Sequence, residues 1–79
     1  MSSLATGVTT RSSSELGAAL ARARREAGLD QDQLAQWAGV TREYVSELER
    51  AAHATKLDRL FGVLDLLGLE LVLRRKQLR

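Results

Sequence analysis

Three glycines, Gly28, Gly39 and Gly68, each follow a stretch of apolar residues at helical spacing, and they divide the chain into short helices. Leu16, Ala19, Leu20, Ala23 and Ala27 precede the first glycine. Leu34, Ala35 and Ala38 precede the second, and Leu57, Leu60, Phe61, Leu64 and Leu67 precede the third. Side chains three and four apart share one face of a helix, so each set reads as a buried stripe. Glycine enters the left-handed conformation that stops a helix with no Cβ penalty. Helices this short are marginal alone and must pack on one another. The expected fold class is therefore all-α, with four helices.

The helix starts are marked as clearly as the stops. Ser12-x-x-Glu15 and Asp30-x-x-Gln33 fit capping boxes at the first and second helices. Thr41 reads as the cap of a third helix, with Val45, Leu48 and Tyr44 facing inward. Thr55 reads as the cap of the fourth, with Asp58 well placed in its first turn. Arg50 to Ala54 form a loop of small residues.

After Gly68 the period changes. Leu69, Leu71 and Leu73 alternate with Glu70 and Val72, which suggests a strand, with a frayed tail or a last helical turn as the alternatives. A single strand in a helical chain has no partner, and its backbone groups would stay exposed. Pairing with the same strand of a second copy about a two-fold axis is the simplest remedy, so Leu69, Leu71 and Leu73 are expected to form a homodimer strand. The chain thus divides into a flexible arm (1–11), a helical domain (12–68), a dimerisation strand (69–76) and a tail (77–79).

Inventory excludes several functions. The 79 residues contain no cysteine and one histidine, so no disulfide framework, thiolate metal site or thiol nucleophile is expected. No glycine-rich phosphate loop exists, and no enzyme, cofactor or metal is expected. The richest apolar run, Leu60 to Leu73, is broken by Asp65, Gly68 and Glu70, which argues against a membrane span. MSSLATGVTT does not read as a signal peptide, so the expected location is the cytoplasm. A domain of this size has a thin stability margin, which again favours oligomerisation.

The segment GLDQDQLAQWAGVTREYVSELER carries the functional signal. Two short helices joined at a glycine are the signature of a helix-turn-helix. Ala35 suits a close approach of two helices, and Gly39 suits a turn that wants a positive φ. A third helix held this way can enter a major groove with its N-terminal residues against base edges.

On these residues the chain resembles the Cro/C1-type (XRE) helix-turn-helix family over residues 16–67, through Gln31, Leu34, Ala35, Gly39, Val45, Leu48 and Glu49. The run ATKLDRLFGVLDLLGLELVLRRK, a helix followed at once by an alternating strand, is similar to HipB-type antitoxins. The resemblance implies a dimeric repressor of its own operon that binds a palindromic operator in double-stranded DNA and partners a HipA-like kinase toxin. It implies base-reading roles for Thr41, Arg42, Glu43, Ser46 and Glu47, phosphate contacts for Gln31 and Tyr44, and a structural ion pair between Arg24 and Glu49. Arg42 is the best specificity candidate, because its planar fork can bind guanine O6 and N7 together. Glu43 and Glu47 could accept from cytosine N4, or could be solvated or paired within the protein.

Charge complicates this picture. Residues 30–49 carry a net −4, although the whole chain is +2. Phosphate attraction normally supplies much of the affinity for DNA. The basic residues lie outside the segment: Arg50, Lys56 and Arg59 follow it and could flank the groove on the backbone side, Arg11 lies in the arm, and Arg74, Arg75, Lys76 and Arg79 lie at the end. Trp37 is either a protein-contact anchor or packed on the first or fourth helix. His53 is expected to be solvated. Two alternatives to the repressor stay open: an adaptor that uses the same fold to bind protein, and a lone regulator with no toxin.

Overall fold

The computed structural model describes Leu4 and residues 6–76. The elements are β1 (Val8–Thr10), α1 (Ser13–Glu26), α2 (Gln31–Ala38), α3 (Arg42–Arg50), α4 (Thr55–Leu66) and β2 (Leu71–Leu73). The expected tail, 77–79, lies outside the described residues.

The capping chemistry sets the helix starts. Ser12 Oγ accepts from the Glu15 N–H at 3.1 Å. The Glu15 carboxylate reaches one residue beyond the box and accepts from the Arg11 N–H at 2.8 Å. At α2 the box is complete: Asp30 accepts from the Gln33 N–H, and the Gln33 side chain accepts from the Asp30 N–H, both at 2.8 Å. Thr41 Oγ1 accepts from the Tyr44 N–H at 3.0 Å and starts α3. The fourth start differs from expectation. Thr55 is the first residue of α4, the N-cap is Ala54, and no side chain bonds to the exposed N–H groups there. Gly28 and Gly39 take φ of 75° and 73°, the left-handed stops that the sequence asked for.

The core is small and centres on α1. Ala19, Ala21, Ala35, Val45, Phe61 and Leu4 are its buried apolar side chains. Gly17 sets the contact between α1 and α3: a Cβ there would lie 2.5 Å from the Leu48 carbonyl oxygen and 2.6 Å from that of Glu49. The α1 backbone thus lies against the end of α3, where only hydrogen fits. Of the expected α2 stripe, Ala35 is buried, Leu34 is half-buried and Ala38 is exposed.

Two expectations are corrected. Residues 8–10, read as part of a flexible arm, form β1, and β1 pairs antiparallel with β2 in the register Val8↔Leu73, Thr9↔Val72, Thr10↔Leu71. The strand at Leu71 and Leu73 therefore finds its partner within its own chain, and the reason for pairing it with a second copy falls away. Thr10 is fully buried, and its Oγ1 donates to the Leu71 carbonyl at 3.0 Å, which locks the register. Leu69 lies before the strand and is exposed. The second correction concerns α4. Phe61 is buried and Leu57 and Leu64 are half-buried, but Leu60 and Leu67 are exposed, so the inner face is narrower than the apolar pattern suggested.

Candidate nucleic-acid interface

The α2–turn–α3 unit is built around one ion-pair network. Arg24, on α1, donates from Nε to Glu49 Oε2 at 2.7 Å and from Nη2 to Glu49 Oε1 at 3.1 Å. Its Nη1 also donates to the Leu29 carbonyl at 2.9 Å, in the link between α1 and α2. Gln31 Nε2, in the first turn of α2, donates to Glu49 Oε1 at 3.0 Å. One carboxylate thus ties α1, α2 and α3 together. The side chains of Arg24 and Glu49 are only 12% and 8% exposed, so little water competes with this two-pronged pair. The guanidinium hydrogen bonds hold the Glu49 carboxyl below its usual range, against the opposing pull of burial, and the Gln31 amide adds to them. The same hydrogen bonding raises Arg24 further above its already high value.

Packing fixes the rest of α3. Val45 is buried and Leu48 is half-buried on the inner side. Residues 41–44 are all exposed, and they form the cap and first turn of the helix. Thr41, Arg42 and Glu43, three of the expected base readers, thus lie together on an open surface. Tyr44, expected to face inward, is 49% exposed. Ser46 and Glu47 are half-buried further along. Ser46 Oγ accepts from Arg50 Nε at 3.1 Å, and Glu47 lies 3.9 Å from His53.

Of the expected phosphate-contacting residues, Arg50 and Lys56 are exposed, one at the end of α3 and one in the first turn of α4. Gln31 is half-buried because Glu49 holds it. Arg42 lies 3.8 Å from Asp32 of α2, and both side chains are about two-thirds exposed. Such a pair is worth little and opens easily. Sequence reasoning missed this contact because it joins two helices whose relative placement no spacing rule supplies.

The structure also redistributes the acidic charge. Of the five carboxylates between residues 30 and 49, Asp30 caps α2 and Glu49 is paired with Arg24. Asp32 and Glu43 are exposed, Asp32 beside Arg42, and Glu47 is half-buried near His53. Two of the basic residues outside the segment are engaged within the chain: Arg11 bonds Glu70 at 3.2 Å, and Arg75 bonds Glu26 at 3.1 Å. Trp37 on α2 is 77% exposed, so of its two readings the one that packs it on α1 or α4 is not seen.

No curated protein and no solved structure matches the chain significantly. A family model described as a helix-turn-helix domain matches residues 15–77, from the first turn of α1 past the end of β2. That span takes in α2, the Gly39 turn and α3 together with their supports, and the chain belongs to this helix-turn-helix domain family.

Proposed function

We propose that the protein is a sequence-specific DNA-binding transcriptional repressor that reads a palindromic operator as a homodimer. The helix-turn-helix domain points to a DNA-binding regulator. The observation that carries the reading is the presentation of α3. Its inner side is held by Val45 and the Arg24–Glu49 pair, while Thr41, Arg42, Glu43 and Tyr44 stand exposed at its N-terminal end. In this motif the second helix lies in the major groove with its N-terminal residues against the bases. Arg42 takes the guanine contact, leaving Asp32 at small cost. Thr41, Glu43, Ser46 and Glu47 complete the reading set. Tyr44, Arg50 and Lys56 contact phosphates, and Gln31 keeps one amide hydrogen for the same purpose while Glu49 holds the other.

Within this function we favour a HipB-like antitoxin of the XRE type, with a HipA-like kinase toxin as its partner. The α4–β2 segment supports that choice through its similarity to the antitoxin pattern. Trp37 favours a second reading, a protein-binding adaptor, because a tryptophan 77% exposed is a ready anchor for another protein. A lone regulator without a toxin differs from the first reading only in its partner.

Selection from a random pool of duplex DNA at physiological salt tests the proposal. An enriched palindrome is the expected result, and retention of DNA without any enriched sequence would favour the adaptor. On the enriched site, Arg42→Ala should weaken binding by about 1–3 kcal/mol and relax one base position in each half-site. Equal weakening on unrelated DNA would reduce Arg42 to a phosphate contact.

A further inference from the structure

His53 is the only histidine of the chain, and nothing in the proposed function uses it. It lies in the loop between α3 and α4 with φ of 53°, and Ala51, two residues before it, has φ of 56°. Positive φ is uncommon away from glycine and costs energy, so the surrounding structure must hold both residues there. The loop thereby stands the His53 side chain out to 83% exposure.

The same loop borders a cleft of about 540 Å³ between α3 and the start of α4. Tyr44, Glu47 and Leu48 line it from α3, Lys56 and Leu57 from α4, and His53 from the loop. Tyr44 and Lys56 are two of the phosphate contacts of the proposed function, and Glu47 belongs to its reading set. With α3 in the major groove as proposed, the DNA backbone passes the mouth of this cleft.

Charge makes this place sensitive to protons. The cleft holds one lysine, Lys56, and one carboxylate, Glu47, so its lining is balanced while His53 is neutral. Arg50, just before the loop, is turned to Ser46, to which its Nε donates. A proton on His53 tips the lining to positive. It also sets a cation 3.9 Å from Glu47, which offsets the carboxylate that phosphates would repel. Histidine is the side chain that ordinarily changes charge between about pH 5 and 8, whereas carboxylates, lysines and tyrosines ordinarily titrate outside that window. A polyanion that binds beside a histidine favours the charged form, and the charged form equally favours the polyanion.

We propose that protonated His53 is a further contact to the DNA backbone, so that operator binding takes up protons and strengthens as the pH falls. The inference rests on the DNA-binding reading and adds a conditional cation to Arg50 and Lys56 in each protomer. The Glu49 carboxyl, held below its usual range, stays ionised over the window concerned and keeps the Arg24 pair intact. Fluorescence anisotropy with the selected operator, between about pH 5.5 and 8 and at several salt concentrations, tests the proposal, with circular dichroism as the folding control. From the top of that range to the bottom, wild-type affinity should rise about tenfold or more, and the slope of log affinity against log salt should steepen by about 1.8, about 0.9 for each protomer. His53→Asn tolerates a positive φ but takes up no proton, so it should flatten the pH dependence and lose the added salt slope. His53→Lys keeps its charge throughout, so it should hold the operator at the alkaline end as tightly as wild type does at the acid end. A pH dependence that is absent from wild type, or that survives in His53→Asn, would overturn the inference while leaving the DNA reading in place. A protein that retains no DNA at any pH would overturn both.

Discussion

Gly17 sits where α1 and α3 approach too closely for a side chain. Its missing side chain lets α1 rest on the carbonyl groups of Leu48 and Glu49, and no rotamer change relieves a clash with backbone. Gly17→Ala should therefore force α1 and α3 apart, although alanine is the better helix former. The expected loss is about 1–3 kcal/mol, read as a lower urea midpoint. The neighbouring carboxylate responds to pH. Glu49 has a lowered carboxyl pKa in the folded state, so its contribution is complete above the unfolded value. The contribution disappears as pH falls through the folded value. Arg24, with its raised pKa, stays charged throughout that range. Glu49→Gln should cost about 1.5–3 kcal/mol at neutral pH. The gap between variant and wild type should close progressively in acid, which urea titrations at several pH values would reveal. A gap that stays constant into strong acid would show that packing around Glu49, and not its charge, is what stabilises the domain.

At the scale of elements, the end of α3 holds strain that a single change can release. Ala51 follows the helix with φ of 56°, where a Cβ is disfavoured and glycine is the usual residue. Ala51→Gly should stabilise the domain by about 0.5–1 kcal/mol, visible as a raised thermal midpoint with no change in the exposed α3 residues. The starts of α1, α2 and α3 and the stops of α1 and α2 were legible because each depends on a local cue: Ser12, Asp30 and Thr41 as caps, Gly28 and Gly39 as stops; the end of α3, with Arg50 expected in the loop, had no such cue. Thr41 likewise fixes where α3 begins, so the exposure of Arg42 and Glu43 in its first turn could be anticipated, whereas that of Tyr44, expected to face inward, could not. What local cues cannot supply is the meeting of distant parts. β1 is a three-residue strand in a run without period, and it exists because Thr10 is buried against Leu71, sixty-one residues away. The inner face of α4 was misjudged for a related reason. Where nearly every side of a helix is apolar, periodicity cannot choose which side meets the core. The same limit hid the link from Gln31 to Glu49, which joins two helices through side chains alone.

At the scale of the whole molecule, the near-neutral net charge of +2 conceals an uneven distribution. An acidic α2–α3 unit lies between basic flanks, and the fold ties Arg11 and Arg75 of those flanks to Glu70 and Glu26. If DNA is bound as proposed, Arg50 and Lys56 are the two cations assigned to phosphates beside the recognition helix. A dimer then neutralises about four phosphates. Each one contributes about −0.9 to the slope of log affinity against log salt, so a slope of about −4 is expected. Repressors that depend on many phosphate contacts reach slopes near −10. A shallow slope means that specificity must come from the base contacts of Arg42 and its neighbours more than from general attraction. Filter binding to the selected operator across a series of salt concentrations measures the slope directly. Lys56→Ala should flatten it by about two units, one for each protomer. A slope near −7 in the wild type would instead bring Arg74 and Lys76 of both protomers onto the DNA as well, and the acidic unit would then be balanced by the end of the chain together with the residues that follow α3.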